Sequence, residues 1–406
     1  MRCDVLVIGA GPGGSALANR LARDGFEVRL ADKKQFPREK PCGEFLSPQC
    51  EPYLAALGID APLAALGPLL VRGMRLHGYG AEALGRFRRL SDRPASASHG
   101  IGVRRERLDM LLCDAAEAAG AEWMPRHEFV SLRRNDDGRV TGAVLRAADG
   151  HEVRCDARFV VGADGVHSRV ARALGVQRQT KWLDRFALVT HYAGVTPMPT
   201  AEVHLFPDGF FAATTIDGGE FSVNLILPRS ALRTRDAADW DEFVGQHVAK
   251  HPALAARLAG ARRTSPWRGI GPLAYSTTRQ TMPGVALVGD ACGYVDPLTG
   301  EGIYFALFGA RALGSAIAES LHEPAREKAL MRGYVVERNR EIVPRARASA
   351  LLQRALRHPW LVRRFLAYAV KHPGLADLVV TLTGDSIHPR DLLKPSFWRA
   401  FRAASA

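Results

Sequence analysis

Residues 5–32 read VLVIGAGPGGSALANRLARDGFEVRLAD, and this stretch decides the fold. Residues 4–8 form a short apolar run of the kind found in a parallel strand that is buried on both faces. Residues 15–23 have helical spacing, and residues 26–31 alternate into a second strand that ends at Asp32. The stretch therefore predicts a βαβ unit of an α/β, Rossmann-like domain.

The glycines between the first strand and the helix follow the pattern Gly9-x-Gly11-x-x-Gly14. Gly9 permits a tight turn, Gly11 lets a pyrophosphate approach the backbone, and Gly14 lets the helix pack close to the strand. Asp32, at the end of the second strand, is placed to accept hydrogen bonds from ribose hydroxyls. The pattern predicts a bound dinucleotide, NAD or FAD, with further contacts from Pro12, Gly13 and Lys33.

Two later motifs favour FAD over NAD. Asp164 in residues 162–165 and Asp290 in residues 289–291 each follow a short apolar strand, where a carboxylate can bind ribose or ribityl hydroxyls. Residues 296–302 lead directly into a predicted helix over 303–321. The N-terminus of this helix would stabilise negative charge on a reduced flavin ring. The predicted contacts in this region are Gly289, Asp290, Pro297, Gly300, Gly302 and Ile303.

These motifs resemble those of group A FAD-dependent oxidoreductases with the para-hydroxybenzoate hydroxylase fold, over about residues 3–325. The Cys-Gly loop at 36–48 and the helix start at 296–306 are similar to the geranylgeranyl reductase-like branch, and flavin-dependent halogenases are more distant relatives. The resemblance implies that Cys42, Gly43 and Arg105 contact the cofactor. Halogenation is set aside, because none of the six tryptophans lies in a Trp-x-Trp-x-x-Pro segment.

The expected organisation is a discontinuous FAD-binding domain with an inserted, mostly antiparallel β-sheet substrate domain. Residues 1–65, 101–175 and 283–325 are assigned to the FAD-binding domain, and residues 66–100 and 176–282 to the substrate domain. A helix is predicted over 238–250. Residues 326–406 form a helical, basic C-terminal region.

The predicted function is FAD-mediated reduction of a carbon–carbon double bond in a hydrophobic molecule such as a prenyl, polyketide or lipid-like compound. Phe206, Phe210 and Phe211 are the candidate substrate wall, and Cys42 is either a catalytic group beside the flavin or a small packed residue. NAD(P)H or an external donor would reduce the flavin. The alternatives are a monooxygenase that uses a flavin hydroperoxide on an aromatic or lipid-like substrate, and a flavin-bearing membrane-docking module without chemistry.

Cysteine and histidine usage indicates no metal site. The six cysteines show no CxxC spacing, and His191, His204 and His247 are scattered. A Cys42–Cys50 disulfide is not expected in a reducing cytosol. The chain passes from Met1 directly into an apolar strand, which predicts that there is no signal peptide and that the protein is cytoplasmic.

The net charge of +13 is concentrated near the C-terminus. Residues 338–372 contain one acid, Glu341, interleaved aromatic residues, and the basic residues Arg338, Arg340, Arg345, Arg347, Arg354, Arg357, Arg363, Arg364 and Lys371. The segment is either a solvated helical face or a surface that contacts anionic membrane lipids. Nucleic acid is not an expected partner, because no binding module accompanies the charge.

If residues 338–372 contact a membrane, the protein should co-sediment weakly with vesicles that contain anionic lipids, and salt should release it. Vesicles of neutral lipid are the control and should leave the protein in the supernatant. A complete lack of co-sedimentation with anionic vesicles at low salt would remove the membrane interpretation.

Overall fold

The computed structural model describes residues 1–88, 98–207, 209–233, 239–384 and 387–403. Residues 89–97, which were assigned to the substrate domain, lie outside the described residues. The same is true of residue 238, where a helix was predicted to begin, and of the C-terminal residues 404–406.

The secondary structure alternates strands and helices in the first third of the chain and is helical at the end. The strands are β1 (Arg2–Ile8), β2 (Val28–Asp32), β3 (Phe45–Leu46), β4 (Leu69–Val71), β5 (Gly73–Gly78), β6 (Ala81–Arg86), β7 (Gly100–Gly102), β8 (Glu122–Pro125), β9 (Glu128–Arg134), β10 (Val140–Arg146), β11 (Glu152–Gly162), β12 (Gln177–Gln179), β13 (Arg185–Ala193), β14 (Ala201–Phe206), β15 (Gly209–Thr215), β16 (Phe221–Pro228), β17 (Arg262–Arg263), β18 (Arg268–Ile270), β19 (Tyr275–Thr277), β20 (Thr281–Met282), β21 (Val285–Leu287) and β22 (Gly293–Tyr294).

The helices are α1 (Pro12–Arg23), α2 (Glu51–Ala56), α3 (Asp60–Ala65), α4 (Arg105–Ala118), α5 (Arg169–Ala173), α6 (Arg229–Arg233), α7 (Trp240–Val248), α8 (Pro252–Leu258), α9 (Gly302–His322), α10 (Glu327–Leu356), α11 (Pro359–Lys371), α12 (Pro373–Thr383) and α13 (Pro395–Ala403). Helix α1 begins at Pro12 rather than at the predicted residue 15. Proline suits this first position because its missing N–H would have no partner within the helix.

The first sheet is built around parallel strands in the order β21-β11-β1-β2-β8. The N-terminal half of β11 pairs instead with β10, which pairs with β9, so the predicted antiparallel meander continues from the same sheet. Helices α1, α4 and α9 pack on one face, where Leu17, Leu112 and Leu313 are buried. This is the predicted Rossmann-like fold.

The second sheet has the order β17-β13-β16-β15-β14-β5-β6, with β18 also beside β13. All of its pairs are antiparallel except β14 with β5. The sheet therefore joins strands from residues 66–100 with strands from residues 176–282. It confirms the predicted mostly antiparallel insertion.

The C-terminal helices are part of the core and contact both sheets. Tyr334 of α10 is buried and donates a hydrogen bond of 2.8 Å to the carbonyl oxygen of Leu287 in β21. Asp377 of α12 accepts one of 2.7 Å from the backbone N–H of Arg86 in β6. Within the described ranges, no helix combines the length and the apolar composition that crossing a membrane requires.

The basic segment 338–372 does not form a uniform solvated face. Arg338 and Arg345 are buried, and Arg345 contacts Glu341 at 2.9 Å and the ring of Tyr304. The other basic residues of the segment are exposed, as are two of its aromatic residues, Trp360 and Tyr368.

Replacing Tyr334 by Phe should destabilise the protein, because the buried carbonyl of Leu287 loses its only side-chain donor among the described contacts. The expected cost is about 1–3 kcal/mol in the free energy of unfolding. The matched control is Tyr368→Phe at an exposed tyrosine of α11, which should leave stability unchanged. Equal thermal unfolding of the two variants would show that α10 is not held through this contact.

Candidate active site

The glycine turn leaves an open cradle at the start of α1. A Cβ atom on Gly14 would lie 1.8 Å from the carbonyl oxygen of Gly9, and one on Gly9 would lie 2.5 Å from that of Ala163, so neither position accepts a side chain. The Cβ position of Gly11, by contrast, meets only the guanidinium nitrogens of Arg38 and Arg105, at 3.9 and 4.0 Å. The turn therefore leaves space for a ligand that two cations can reach.

The two arginines make the cradle suitable for an anion. The buried Arg105 donates two hydrogen bonds of 2.9 Å to Asp109, one turn along α4. Arg38 lies 3.2 Å from the same carboxylate and 3.7 Å from Asp32. With the N-terminus of α1 beside them, these groups form a site for a pyrophosphate. The structure thus places Arg105 as the resemblance implied, whereas the sequence analysis missed Arg38 and Asp109.

Asp32 lies at the end of β2, bonded to the glycine turn, but it does not line the cavity, and its contact with ribose stays a prediction. One carboxylate oxygen accepts a 3.0 Å hydrogen bond from the N–H of Ala10, and the other accepts one of 2.9 Å from the N–H of Lys34. Its neighbour Lys33 is exposed and lies outside the cavity lining, so the structure does not bring this predicted contact to the site.

Asp164 differs from its predicted role. Its oxygens accept hydrogen bonds from the Ser168 hydroxyl at 2.5 Å and from the backbone N–H groups of Arg169 and Val170, at 2.7 and 3.2 Å. Burial raises the pKa of Asp164 even though these bonds favour the charged form. The carboxylate fixes the start of α5 rather than facing the cavity, and its neighbours Ala163 and Gly165 line the cavity instead.

Asp290, in contrast, faces the cavity. One of its carboxylate oxygens lies 3.9 Å from the Cβ position of Gly302, at the start of α9. Burial raises the pKa of Asp290, while the positive charges of Lys40 and Arg105 oppose that shift. The other contacts predicted in this region also line the cavity, namely Gly289, Pro297, Gly300, Gly302 and Ile303.

Asp296 shapes the turn before α9. It accepts a 2.9 Å hydrogen bond from the N–H of Leu298 and one of 2.6 Å from the side chain of Gln353 in α10. Burial raises the pKa of Asp296 to about 7. The C-terminal region thus supports the turn that leads into α9 at the edge of the cavity.

The Cys-Gly loop forms another wall. Cys42 and Gly43 line the cavity together with Pro12 and Gly13 of α1. Cys42 is half-buried, and its sulfur accepts a 3.5 Å hydrogen bond from the N–H of Glu44. A catalytic role for Cys42 stays a prediction.

The cavity continues from the glycine turn to the second sheet, and part of it is open to solvent. The sheet contributes mostly small or apolar residues, namely Met74, Ala187, Val189, Ala201, Val203, Ala212, Ala213, Ile226 and Ile270, with Glu202, Thr214 and Asn224 as polar members.

The three phenylalanines predicted to form the substrate wall do not line this cavity. Phe206 and Phe211 lie on the opposite face of the sheet, in the core beneath α7 and α8. Phe210 faces the cavity side but is fully buried against neighbours such as Met74 and Ile226. The prediction did not resolve which residues of the strand face which side, and successive residues point to opposite faces.

A histidine cluster also lies on the opposite face. His77 of β5 pairs with His204 of β14, and their rings stack with centroids 4.4 Å apart. Glu202 is 3.1 Å from His204, so three potential metal ligands come within 4.8 Å of one another. The sequence analysis missed this group because pairing of β5 with β14 joins residues more than a hundred positions apart.

Comparison with known proteins agrees with this geometry. The family model described as "FAD binding domain" matches residues 2–355. A menaquinone reductase of Mycobacterium tuberculosis is 34% identical over 324 residues, 75% of this chain and 74% of that protein. A digeranylgeranylglycerophospholipid reductase of Methanopyrus kandleri is 28% identical, over 82% of this chain and 81% of that protein.

Among solved structures, the myxobacterial chondrochloren halogenase CndH superposes with a TM-score of 0.78 at 27% identity, over 84% of this chain and 80% of the halogenase. The site and these likenesses define an FAD-dependent oxidoreductase. The chain belongs to the FAD binding domain family, and its cofactor is FAD. It is an enzyme, so the alternative of a docking module without chemistry is set aside.

Replacing Asp290 by Ala should yield a protein that purifies largely colourless, because the variant loses the carboxylate that faces the cavity. The measurement is the FAD content per chain, from flavin absorbance after reconstitution. Asp137→Ala, at an exposed turn, is the control and should keep full occupancy. Full yellow occupancy of Asp290→Ala would contradict the assignment of this carboxylate to the cofactor.

Proposed function

We propose that this protein reduces a carbon–carbon double bond in a hydrophobic molecule that bears a prenyl chain. The observation that carries the proposal is the apolar wall that the second sheet places opposite the cofactor cradle. Ala187, Ala201 and Ala212 leave space between them that larger side chains would fill. Because the wall has few polar groups, an apolar chain that lies against it would leave few of them without a hydrogen-bond partner.

The relatives support the same substrate class. One is a menaquinone reductase and the other is a digeranylgeranylglycerophospholipid reductase, and both names specify molecules with isoprenoid chains. The halogenase likeness does not favour halogenation, because this chain lacks the tryptophan segment expected of those enzymes.

The chain's own residues would bind and orient both partners. Reduced FAD supplies a hydride to one carbon of the double bond, and the other carbon takes a proton, so the product gains two hydrogen atoms. Arg38 and Arg105 would hold the pyrophosphate, and the Cys42–Gly43 loop and the second sheet would exclude water from the ring. The sequence carries one dinucleotide fingerprint, so NAD(P)H binding transiently or an external donor would supply the electrons.

Anaerobic turnover separates this reaction from the monooxygenase alternative. The enzyme, reduced with dithionite in the absence of O₂, should convert a geranylgeranyl-bearing glycerophospholipid to a product two mass units heavier per reduced bond. Mass spectrometry of the extracted lipid detects this change. A product that gains oxygen and forms only with stoichiometric O₂ consumption would identify a monooxygenase instead.

A blocking variant tests whether the apolar wall binds the substrate. Ala212→Phe adds a ring to the wall without altering the glycine turn, so FAD content should stay at the wild-type value while reduction of the prenyl lipid falls sharply. Unchanged kcat and KM in Ala212→Phe would place the substrate elsewhere.

A further inference from the structure

A buried pair of titratable side chains lies beneath the Cys-Gly loop. Glu44 is 3% exposed, and its Oε2 atom lies 2.6 Å from Nε2 of His191 in β13. Glu44 has a φ of 55°, which is unfavourable for a residue other than glycine. Its carbonyl accepts a hydrogen bond from Val103, and its Oε1 accepts one of 3.1 Å from the N–H of Arg105. The side chain is therefore fixed with one oxygen directed at His191.

Hydrogen bonds around Ser265 assign the proton on the other ring nitrogen. The Ser265 hydroxyl oxygen accepts from the backbone N–H of His191 at 3.1 Å, and it lies 2.8 Å from Nδ1. The Thr190 hydroxyl donates a hydrogen bond to the Ser265 carbonyl oxygen. The Thr190 hydroxyl oxygen lies 3.2 Å from the Ser265 hydroxyl oxygen and is therefore free to accept the proton of the Ser265 hydroxyl. With its own proton directed at Thr190, the Ser265 hydroxyl can accept a hydrogen bond from Nδ1. Nε2 remains to share one proton with Glu44.

The pair separates two cavities. On one side, Glu44 lines the cavity that holds the cofactor. On the other, Glu44, His191 and Ser265 line a smaller cavity, which reaches the ion pair of Glu39 and Arg268 near the surface. This smaller cavity has room for about one water molecule beside the pair, on the side opposite the flavin.

The charges around the smaller cavity are largely paired. Arg268 contacts Glu39, and Arg104 contacts Glu220, which itself lies close enough to interact with His191. Lys40 and Glu106 complete the charged lining. No charged group other than His191 is hydrogen-bonded through its side chain to Glu44 among the contacts described.

We propose that Glu44 is the proton donor of the reaction, with His191 as its proton-sharing partner and Ser265 as a positioning residue. The inference rests on the proposed double-bond reduction. There the hydride bonds to one carbon, and the electron pair of the broken π bond takes the proton of Glu44 at the other. The pair is left as a carboxylate and a neutral imidazole, and a proton from water in the smaller cavity restores it. No electrons move through the pair, and the proton count is balanced.

Two variants remove the shared proton while keeping side chains of similar size, Glu44→Gln and His191→Gln. Both should lower kcat for double-bond reduction by about 10²-fold at unchanged KM, the usual contribution of a positioned acid. The matched control is His204→Gln, because His204 is also buried and bonded to a glutamate but lies on the opposite face of the sheet.

A second readout needs no substrate. Two-electron reduction of bound FAD by electrochemically generated methyl viologen radical, whose oxidation releases no proton, takes up a proton from solution. A pH-indicator dye reports the proton while flavin absorbance reports the electrons. Proton uptake should keep pace with reduction in the wild type and in His204→Gln, and should lag in Glu44→Gln and His191→Gln. If one of these variants does not bind FAD, Ser265→Ala keeps both side chains of the pair and should lower kcat at unchanged KM.

The outcomes separate the two proposals. A lag in proton uptake without any lipid reduction would keep the pair as a route for protons into the cavity and overturn the proposed reaction. Lipid reduction with unchanged kcat and prompt proton uptake in both glutamine variants would keep the reaction and overturn the role of the pair.

Discussion

The close contact among Gly9, Gly14 and the backbone of Ala163 is the constraint on which the rest of the structure depends. A single added methyl group at Gly14 would overlap the carbonyl of Gly9. Because these segments touch, β1, α1 and the end of β11 are locked in one arrangement, and the N-terminus of α1 faces the space beside Gly11. The arginines and the carboxylates can then act on one cofactor, although they come from distant parts of the chain.

The glycine turn and the apolar sheet line one cavity, so a cofactor and a substrate bound there would be next to each other. The Cys-Gly loop lies between the glycine turn and the sheet, and α10 braces the turn before α9 through Gln353 and Asp296. The C-terminal region is thus more than a basic surface, since two of its arginines are buried. In the proposed function, the charged end of the cavity would bind the cofactor and the apolar sheet would contact the substrate.

Local pattern predicts which residues of the contiguous motifs come together, and it does not predict how the sheet strands face. The glycine turn, Asp290 and the start of α9 meet at one cavity because their geometry follows from strand, turn and helix. Asp164 bonds to Ser168 and to the start of α5, since a carboxylate at a helix start can cap the helix as readily as bind a ligand, and its contact with the cofactor stays a prediction. The faces of Phe206 and Phe211, and the contact between Glu44 and His191 across 147 positions, depend on sheet pairing that a single sequence does not display.

The central claim is that this chain holds FAD with its phosphates at the glycine turn and its ring beside the Cys-Gly loop. The most direct measurement is a crystal structure of the protein reconstituted with FAD. The account predicts the pyrophosphate next to Gly11, within hydrogen-bonding distance of Arg38 or Arg105, and the ring between Cys42 and the start of α9. Failure to take up any flavin, or a flavin bound outside this cavity, would contradict it.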